Sequence, residues 1–409
     1  MKHVIVGGGP AGVTAAETLR KVEPTADITL IGGEAGPPYC RMAIPYYLAG
    51  NIAEQGTYFR HEGDHYARLG IRYLNDRVEA ISATDGRIRL AGGVDLAYDR
   101  LLLATGSRPA MLPAPGLDTP GVYSCWTLDD ARQIAARATA GAEVVLIGAG
   151  FVACIIMQAL AHRGMKLTVV AGSSGRMVRS MMDETAGDLI MRWCREHGVS
   201  VLTGQRVAAI EDGPTVVLAD GQALKANLVV VASGVRPNSE FAAAAGVTVE
   251  EGIVVDGYLK TSVEGIFAAG DVAQGLDFST RTRSVHAIQP TATEHGRVAA
   301  LNMAGRSVAY RGSLGMNVLD SLGLISSSFG QWQGVAGGEA AIHLDAARYR
   351  YMDLKFDGDR LIGVNSVGRT ENLGALRGLI QKRVRLGAWK DRLMANPYRF
   401  MEALVAVTA

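Results

Sequence analysis

Short unbroken apolar runs, each closed by glycine, set the rhythm of this chain. Lys2 to Val6 predicts a buried strand, Gly7, Gly9 and Gly12 follow in G-x-G-x-x-G spacing, and the pattern then changes to a helix from about Pro10 to Lys21. Ile28 to Ile31 is the returning strand, and Glu34 stands 22 residues beyond Gly12. In this spacing the first glycine permits a tight turn, the second lets backbone approach a pyrophosphate, and the third lets helix pack closely on strand. Pro10 and Ala11 open the helix, whose unpaired N–H groups and dipole face the phosphates. Glu34 is placed to meet a ribose hydroxyl, and Gly33 occupies an equally suitable position for that acid.

The pattern returns about 140 residues later. Glu143 to Ile147 is a predicted strand, and Gly148-Ala149-Gly150-Phe151-Val152-Ala153 is a second glycine turn. A helix then runs to about Arg163, and Leu167 to Val170 is a further strand. A repeat on that scale predicts two nucleotide-binding folds in one chain. Between the copies, Ile71 to Leu74 and Arg87 to Leu90 are strand-like, with a hairpin turn between Leu90 and Val94. Tyr98 to Pro109 (YDRLLLATGSRP) predicts a buried strand ending in Ala104, Thr105 and Gly106, small residues that let backbone pass close to a bound group. Prolines at 113, 115 and 120 mark a crossing linker.

Downstream, helix is predicted over Ile190 to His197 and strand over Val199 to Leu202, and Asn227 to Ser233 is a buried strand ending in Gly234-Val235-Arg236-Pro237. Thr261 to Ala273 (TSVEGIFAAGDVA) delivers Asp271 just after Gly270, at a strand's carboxyl end, where it can accept hydrogen bonds from a polyol chain. Pro290 suits the first position of a helix that includes Thr291. From Ser321 onward, strands at Leu324 to Phe329, Tyr349 to Phe356 and Leu361 to Val367, followed by helices, predict an α+β tail.

With 409 residues the chain exceeds one ordinary core. Its 41 basic and 40 acidic residues nearly balance, which argues against nucleic acid or an acidic membrane surface as main partner. No apolar run reaches about 18 residues and the chain opens on a core strand, so neither a membrane span nor a signal peptide is expected, and a cytoplasmic location follows. Cys40, Cys125, Cys154 and Cys194 are widely spaced and form no C-x-x-C, so neither metal ligation nor a structural disulfide is expected.

Three motifs in consistent order, the first glycine turn, the ATGSRP strand end and the GIFAAGD strand end, make the chain resemble the pyridine nucleotide-disulfide oxidoreductase family of flavoproteins over nearly its whole length. The resemblance implies an α/β fold with two Rossmann-like dinucleotide-binding domains, for FAD and NAD(P), plus a C-terminal α+β domain. Residues 1–115 and 245–320 would form the FAD domain, 116–244 the NAD(P) domain and 321–409 an interface domain. It further implies the FAD pyrophosphate at Gly7 to Gly12, the ribityl chain near Asp271, and the isoalloxazine near Arg41 and the Thr291 helix start, whose dipole favours negative charge on a ring carbonyl. Ala104, Thr105, Gly106 and Gly270 would line the flavin, and Gly148, Gly150, Ala153 and Gly234 the nicotinamide nucleotide. The segment PPYCRMAIPYY is most similar to the branch of rubredoxin and ferredoxin reductases, the NADH-accepting part of nitrite reductase and the flavin subunits of complexes such as phenylglyoxylate dehydrogenase. Arg41 matches that branch's Tyr-x-Arg pattern.

Several positions depart from the family pattern. In thiol-using relatives the cysteine of Cys-Gly-Leu-Pro-Tyr-Tyr stands three residues before the proline, and here that place before Pro45 is Met42, whose thioether forms neither a mixed disulfide nor a sulfenic acid. Cys40, two positions earlier, is expected to be packed and inert, with a reactive thiol as the alternative. Cys154 is expected to be buried, with thiolate character on the helix's first turn as its alternative. Family members that take NADH usually end the second strand of this fold with a glutamate. Here Ala171 stands there, followed by Gly172, Ser173, Ser174, Gly175 and Arg176, so Arg176 or Arg179 either meets a 2′-phosphate or is solvated. Ile155 replaces a glutamate that helps place the nicotinamide ring. His286, His295 and Glu294 are set near the flavin edge, His286 as the acid–base candidate. Leu376 to Phe400 carries Arg377, Lys382, Arg383, Arg385, Lys390, Arg392 and Arg399 against Asp391 alone, either a docking face for an acidic carrier or a solvated surface. Trp332 and Trp389 are expected to fill core or interface.

The function expected is an FAD-dependent NAD(P)H oxidoreductase that passes electrons between a nicotinamide and a one-electron protein carrier, a ferredoxin, a rubredoxin or an iron-sulfur subunit. No catalytic side chain is strictly required. The rivals are an NADH oxidase or thiol-dependent disulfide or peroxide reductase, and a flavin-bearing assembly subunit with a vestigial nicotinamide site. Association as a homodimer or hetero-oligomer is assigned to the C-terminal domain.

Overall fold

The computed structural model describes every residue except Ser173, Ser174, Thr370 and Ala409, and all side chains but those and Thr408. It divides into two compact units. One comprises Met1–Ile44, Ile52–Arg108 and Val235–Ser313, and the other Pro45–Asn51, Pro109–Gly234 and Leu314–Ala409.

The first unit is built on a five-stranded parallel sheet in the spatial order Ile266–Ala268, Arg100–Leu103, Lys2–Val6, Asp27–Gly32, Ile71–Asn75. Its central strands are covered on both faces, which is why they read as continuous apolar runs rather than alternating ones. Ile5, Leu30, Leu102 and Leu103 are fully buried, each stabilising the fold by about 1.5–3 kcal/mol. The Pro10–Val22 helix turns Ala11, Gly12, Val13, Ala15, Ala16 and Leu19 inward. These small residues let a second helix, Gln289–Met303, approach along Ala292, Gly296, Ala299 and Ala300. A Cβ at Gly296 would overlap the Ala11 carbonyl oxygen, so the two backbones touch at that point. Pro290 takes the second helical place after Gln289, one later than the sequence suggests and equally free of an N–H obligation.

The second unit repeats this plan. Its parallel sheet runs Ser200–Leu202, Lys166–Val170, Glu143–Ile147, Leu228–Val231, Val122–Tyr123; its first four strands repeat the order of Ile71–Asn75, Asp27–Gly32, Lys2–Val6 and Arg100–Leu103, while the edge strand Val122–Tyr123 comes before them in the chain. The repeat goes further than the glycine turns. In the first unit Val78–Ser82, Arg87–Leu90 and Asp95–Ala97 form an antiparallel meander with a register shift between Val78 and Ala80. In the second, Val207–Glu211, Thr215–Leu218 and Ala223–Lys225 form another, shifted between Val207 and Ala209. A helix at Leu128–Arg137, absent from the sequence reading, is opened by a capping box in which Thr127 and Asp130 satisfy each other's amides.

The tail of the second unit is an antiparallel sheet ordered Met316–Ser321, Leu324–Gly330, Arg360–Val367, Arg350–Asp357, Glu339–Asp345, followed by the helices Leu373–Gln381, Trp389–Ala395 and Phe400–Thr408. Within this unit the Glu184–Glu196 helix docks on that sheet. Asp183 caps its Ala186 amide at 2.9 Å and accepts the Tyr351 hydroxyl at 2.7 Å, while Arg192 donates to the Tyr349 hydroxyl at 2.9 Å. Among the described residues no helix is long and apolar enough to cross a membrane.

Candidate functional site

Gly7, Ala104 and the Gly270–Asp271 turn follow three adjacent strands of the first sheet at their carboxyl ends, where the strand order reverses. Open α/β sheets bind ligands in that crevice. Gly7 has φ +124°, and a Cβ there would overlap the Ala104 carbonyl oxygen; one at Gly12 would overlap the Gly7 carbonyl oxygen. Gly9, the N-cap, is different: a Cβ there meets nothing within 4 Å. Two glycines are therefore dictated by internal packing, while the middle one leaves its outer side open to an approaching group. The amides of Ala11 and Gly12 lie in the helix's first turn, where helix geometry supplies no acceptor. This cradle fits a pyrophosphate.

Glu34 and Arg41, set by the sequence reading at opposite ends of the cofactor, form an ion pair here. The Tyr39 hydroxyl donates to the other Glu34 oxygen at 2.6 Å, and burial pushes that phenol up to about 12. Arg41 also acts on Asp271, whose carboxyl its charge draws down. Cys40 is half-buried and its thiol donates to Gln289 Oε1 at 3.4 Å, beside the start of the Thr291 helix. Met42 is 46% exposed and holds the place a relative's reactive thiol would take.

Asp271 accepts from the Ser107 hydroxyl at 3.1 Å. Burial raises its carboxyl above the ordinary value, against the pull of Ser107 and Arg41. The turn carrying it is fixed from behind by His295, 2% exposed, whose Nδ1 accepts the Gly270 amide at 3.3 Å. That bond requires the Nε2–H tautomer, and Nε2 has no hydrogen-bond partner in the buried site. Burial lowers the His295 pKa from 6.5 to about 3. An unfolded chain therefore binds a proton that the folded one refuses, so stability falls as pH drops from about 6.5 toward 3, by at most about 1.4 kcal/mol per unit from this group. His295→Gln, which keeps an acceptor for Gly270, should show a shallower loss of urea midpoint between pH 6.5 and 4.5 than the unaltered chain. Equal slopes would contradict the assignment.

The second glycine turn mirrors the first. Gly148 has φ +112°, a Cβ on it would overlap the Ala232 carbonyl oxygen, and the open side of Gly150 again faces nothing within 4 Å. Gly9 and Gly150 share N-cap dihedrals, φ −81°, ψ −173° and φ −82°, ψ −170°. Ala153 replaces the third glycine. Cys154 lies beneath the turn, 1% exposed, and burial pushes its thiol far above the ordinary range, which removes the thiolate alternative. Burial also raises the thiols of Cys125 and Cys194, each to about 12. After Ala171 the chain passes Ser173 and Ser174, outside the described residues, to a half-buried Arg176 and an exposed Arg179. Gly234, φ +112°, is exposed at the end of the Leu228–Val231 strand.

His286 is occupied: its Nε2 lies 2.9 Å from Asp277 Oδ2 and 2.9 Å from the Ser284 hydroxyl. Although burial opposes it, the His286 hydrogen bond and the Thr280 and Ser279 amides hold the Asp277 carboxyl below its usual value. Glu294 is spent on Arg297 at 2.7 Å. In the tail, Lys390 pairs with Glu339, Arg399 with Glu402, and Arg392 stacks over Trp389 at 4.5 Å, whereas Lys382, Arg383 and Arg385 are exposed in one turn. The contacts of Tyr39, Ser107 and Asn238 are not legible in the sequence, because their partners are set by the fold.

Residues 1–296 match the family model described as pyridine nucleotide-disulphide oxidoreductase. The NADH-dependent phenylglyoxylate dehydrogenase subunit epsilon of Aromatoleum evansii is 32% identical over 403 residues, 97% of this chain and 95% of that protein. The ferredoxin–NAD(+) reductase component of the anthranilate 1,2-dioxygenase system of Burkholderia cepacia is 32% identical over 388 residues, 92% and 93% of the two chains. The reductase in the crystal structure of the covalent putidaredoxin reductase–putidaredoxin complex superimposes with a TM-score of 0.92 at 27% identity, covering 100% of this chain and 99% of that one. The chain belongs to the pyridine nucleotide-disulphide oxidoreductase family, whose enzymes are FAD-dependent and use NAD(P)H, and the expected fold class, cofactors and enzyme class hold.

Proposed function

We propose that this oxidoreductase takes a hydride from NAD(P)H on FAD and passes the electrons singly to an iron-sulfur protein or subunit. The observation that carries the reading is the convergence of Gly7, Ala104 and the half-buried Asp271 carboxylate on one crevice, with Met42 in the place of a reactive thiol. Bound flavin supplies the conversion between two-electron and one-electron chemistry. The chain's own residues bind and orient. The Pro10–Val22 helix start and Gly9 hold the pyrophosphate, Asp271 accepts from the ribityl hydroxyls, and the Gln289–Met303 helix start presents its positive end to the ring carbonyl. Gly148, Gly150, Ala153 and Gly234 hold the nicotinamide nucleotide.

The domain division proposed is 1–115 with 245–320 for FAD, 116–244 for NAD(P) and 321–409 for association, in a cytoplasmic enzyme. Relatives named as a ferredoxin reductase and as a subunit of a larger dehydrogenase support the choice of partner. The exposed Lys382, Arg383 and Arg385 suit an acidic carrier, whose encounter such charges accelerate.

The thiol reading keeps one supporting observation, the position of Cys40 beside Gln289. Anaerobic reduction by NADH or NADPH, followed by either an oxidised ferredoxin or air, separates the two. Reoxidation should be fast with the ferredoxin and slow with air, and Cys40→Ser should leave both rates unchanged. Fast stoichiometric reaction with air, or loss of turnover in Cys40→Ser with flavin still bound, would contradict the proposal.

A further inference from the structure

Asn238 stands on the chain just after it re-enters the first unit at Val235, following the short Val235–Pro237 strand. It lies 133 residues from Thr105 in sequence, and all four of its polar groups engage the segment Thr105 to Arg108. Its amide N–H donates to the Gly106 carbonyl at 2.9 Å, and its own carbonyl accepts the Thr105 hydroxyl at 2.9 Å. Its side-chain Nδ2 donates to the Thr105 carbonyl at 2.9 Å, and Oδ1 accepts from Arg108 Nη1 at 3.0 Å. Aspartate would lack the donor, glutamine would overreach, and alanine would lose both side-chain bonds.

The segment so gripped follows Ala104, whose carbonyl lies against Gly7 together with the Thr105 amide nitrogen. It has little stiffness of its own, since Gly106 sits at φ +66° between two small hydroxyl residues. Ser107 lies on it, buried, and its hydroxyl is the group that meets Asp271 at 3.1 Å. The exposed Arg108–Glu240 ion pair adds little fixity, because pairs open to solvent contribute weakly. The Ser107–Pro109 strand pairs with Val235–Pro237, and the reciprocal bonds of Asn238 extend that hold into the Thr105–Gly106 bend itself.

We propose that Asn238 is a positioning residue of the flavin site: by locking the Thr105–Arg108 turn it fixes the Ser107 hydroxyl against Asp271, and so sets how tightly FAD is held. The inference rests on the assignment of Asp271 to the flavin. It makes FAD affinity depend on a side chain that does not touch the cofactor.

Asn238→Asp is the decisive variant. It keeps size, shape and an oxygen for Arg108, and removes only the donor to the Thr105 carbonyl while facing that carbonyl with charge. Titration of apoprotein with FAD, followed by flavin fluorescence, should show a roughly tenfold rise in Kd for Asn238→Asp, measured at a temperature where the variant apoprotein is fully folded. Asn238→Ala should weaken binding similarly. In a cycle with Ser107→Ala the two losses should be less than additive, because both act through the same contact. FAD affinity in Asn238→Asp within about twofold of the unaltered chain, or full additivity with Ser107→Ala, would overturn the inference. Failure of the unaltered apoprotein to bind FAD at all would overturn the flavin assignment itself, which distinguishes the two.

Discussion

Gly12→Ala is expected to abolish flavin retention, although alanine is what the chain itself carries at the equivalent place in its second glycine turn, Ala153. The difference is one of space. A Cβ at Gly12 would overlap the Gly7 carbonyl oxygen and press on Ile5 Cγ2 at 3.3 Å, and Gly7 cannot yield because it is itself held against Ala104. The helix would have to lift from the sheet, carrying its first-turn amides away from the phosphate position. Forced overpacking of this kind costs about 1–3 kcal/mol, and with two backbone atoms in the way the upper end is expected, roughly two orders of magnitude in affinity if it falls on the bound state. FAD per chain in the purified variant and its melting temperature report the effect. Ala153→Gly should cost only about 1 kcal/mol and leave the FAD content intact. Stoichiometric FAD in Gly12→Ala would mean that this turn does not hold the pyrophosphate.

Asp271→Ala should be the most damaging change that leaves the backbone in place. The carboxylate is half-buried just past the end of the Ile266–Ala268 strand, tied to Ser107, and its turn is anchored by His295. Keeping a charge in such a place is costly unless something donates to it, and the ribityl hydroxyls are suited to that role. A hydrogen bond to a charged group contributes about 1.5–3 kcal/mol, so FAD Kd should rise roughly 10- to 150-fold. Asp271→Asn, which retains shape and an acceptor, should fall between. Since burial raises the carboxyl's pKa, its protonation on acidification should weaken FAD binding in the unaltered chain but not in Asp271→Asn. Unchanged affinity in Asp271→Ala would remove this residue from the site.

The glycine turns, the ATG strand end and the GD strand end are visible in the sequence because each is local: a few consecutive residues must be small, or must adopt positive φ, whatever lies elsewhere. The central strands are visible because burial on both faces leaves an uninterrupted apolar run, as in Leu228–Val231. The Glu339–Asp345 strand is not visible, since as an edge strand it exposes Ile342 and Leu344 and shows no alternation. The two meanders escaped recognition as copies because their likeness lies in pairing and register shift rather than in residue identity. The Leu128–Arg137 helix did carry a readable signal, Thr127 and Asp130 at capping-box spacing. Site residues that act at long range were out of reach. The Glu34–Arg41 pair depends on how a proline-rich loop folds back, and the grip of Asn238 on Thr105 depends on two strands meeting across an inserted segment. His286 looked available as an acid–base group, and the fold gives it to Asp277 and Ser284.

Every role assigned to these residues requires that the N-terminal crevice hold a flavin that NAD(P)H reduces. The test is the visible spectrum of the purified protein, recorded anaerobically before and after stepwise addition of NADPH and NADH. Flavin bands that bleach with one nicotinamide per chain, in the unaltered protein and in Cys40→Ser alike, are the predicted result. A correctly folded, colourless protein that cannot be reconstituted with FAD would contradict the account, as would flavin bands that neither nicotinamide bleaches.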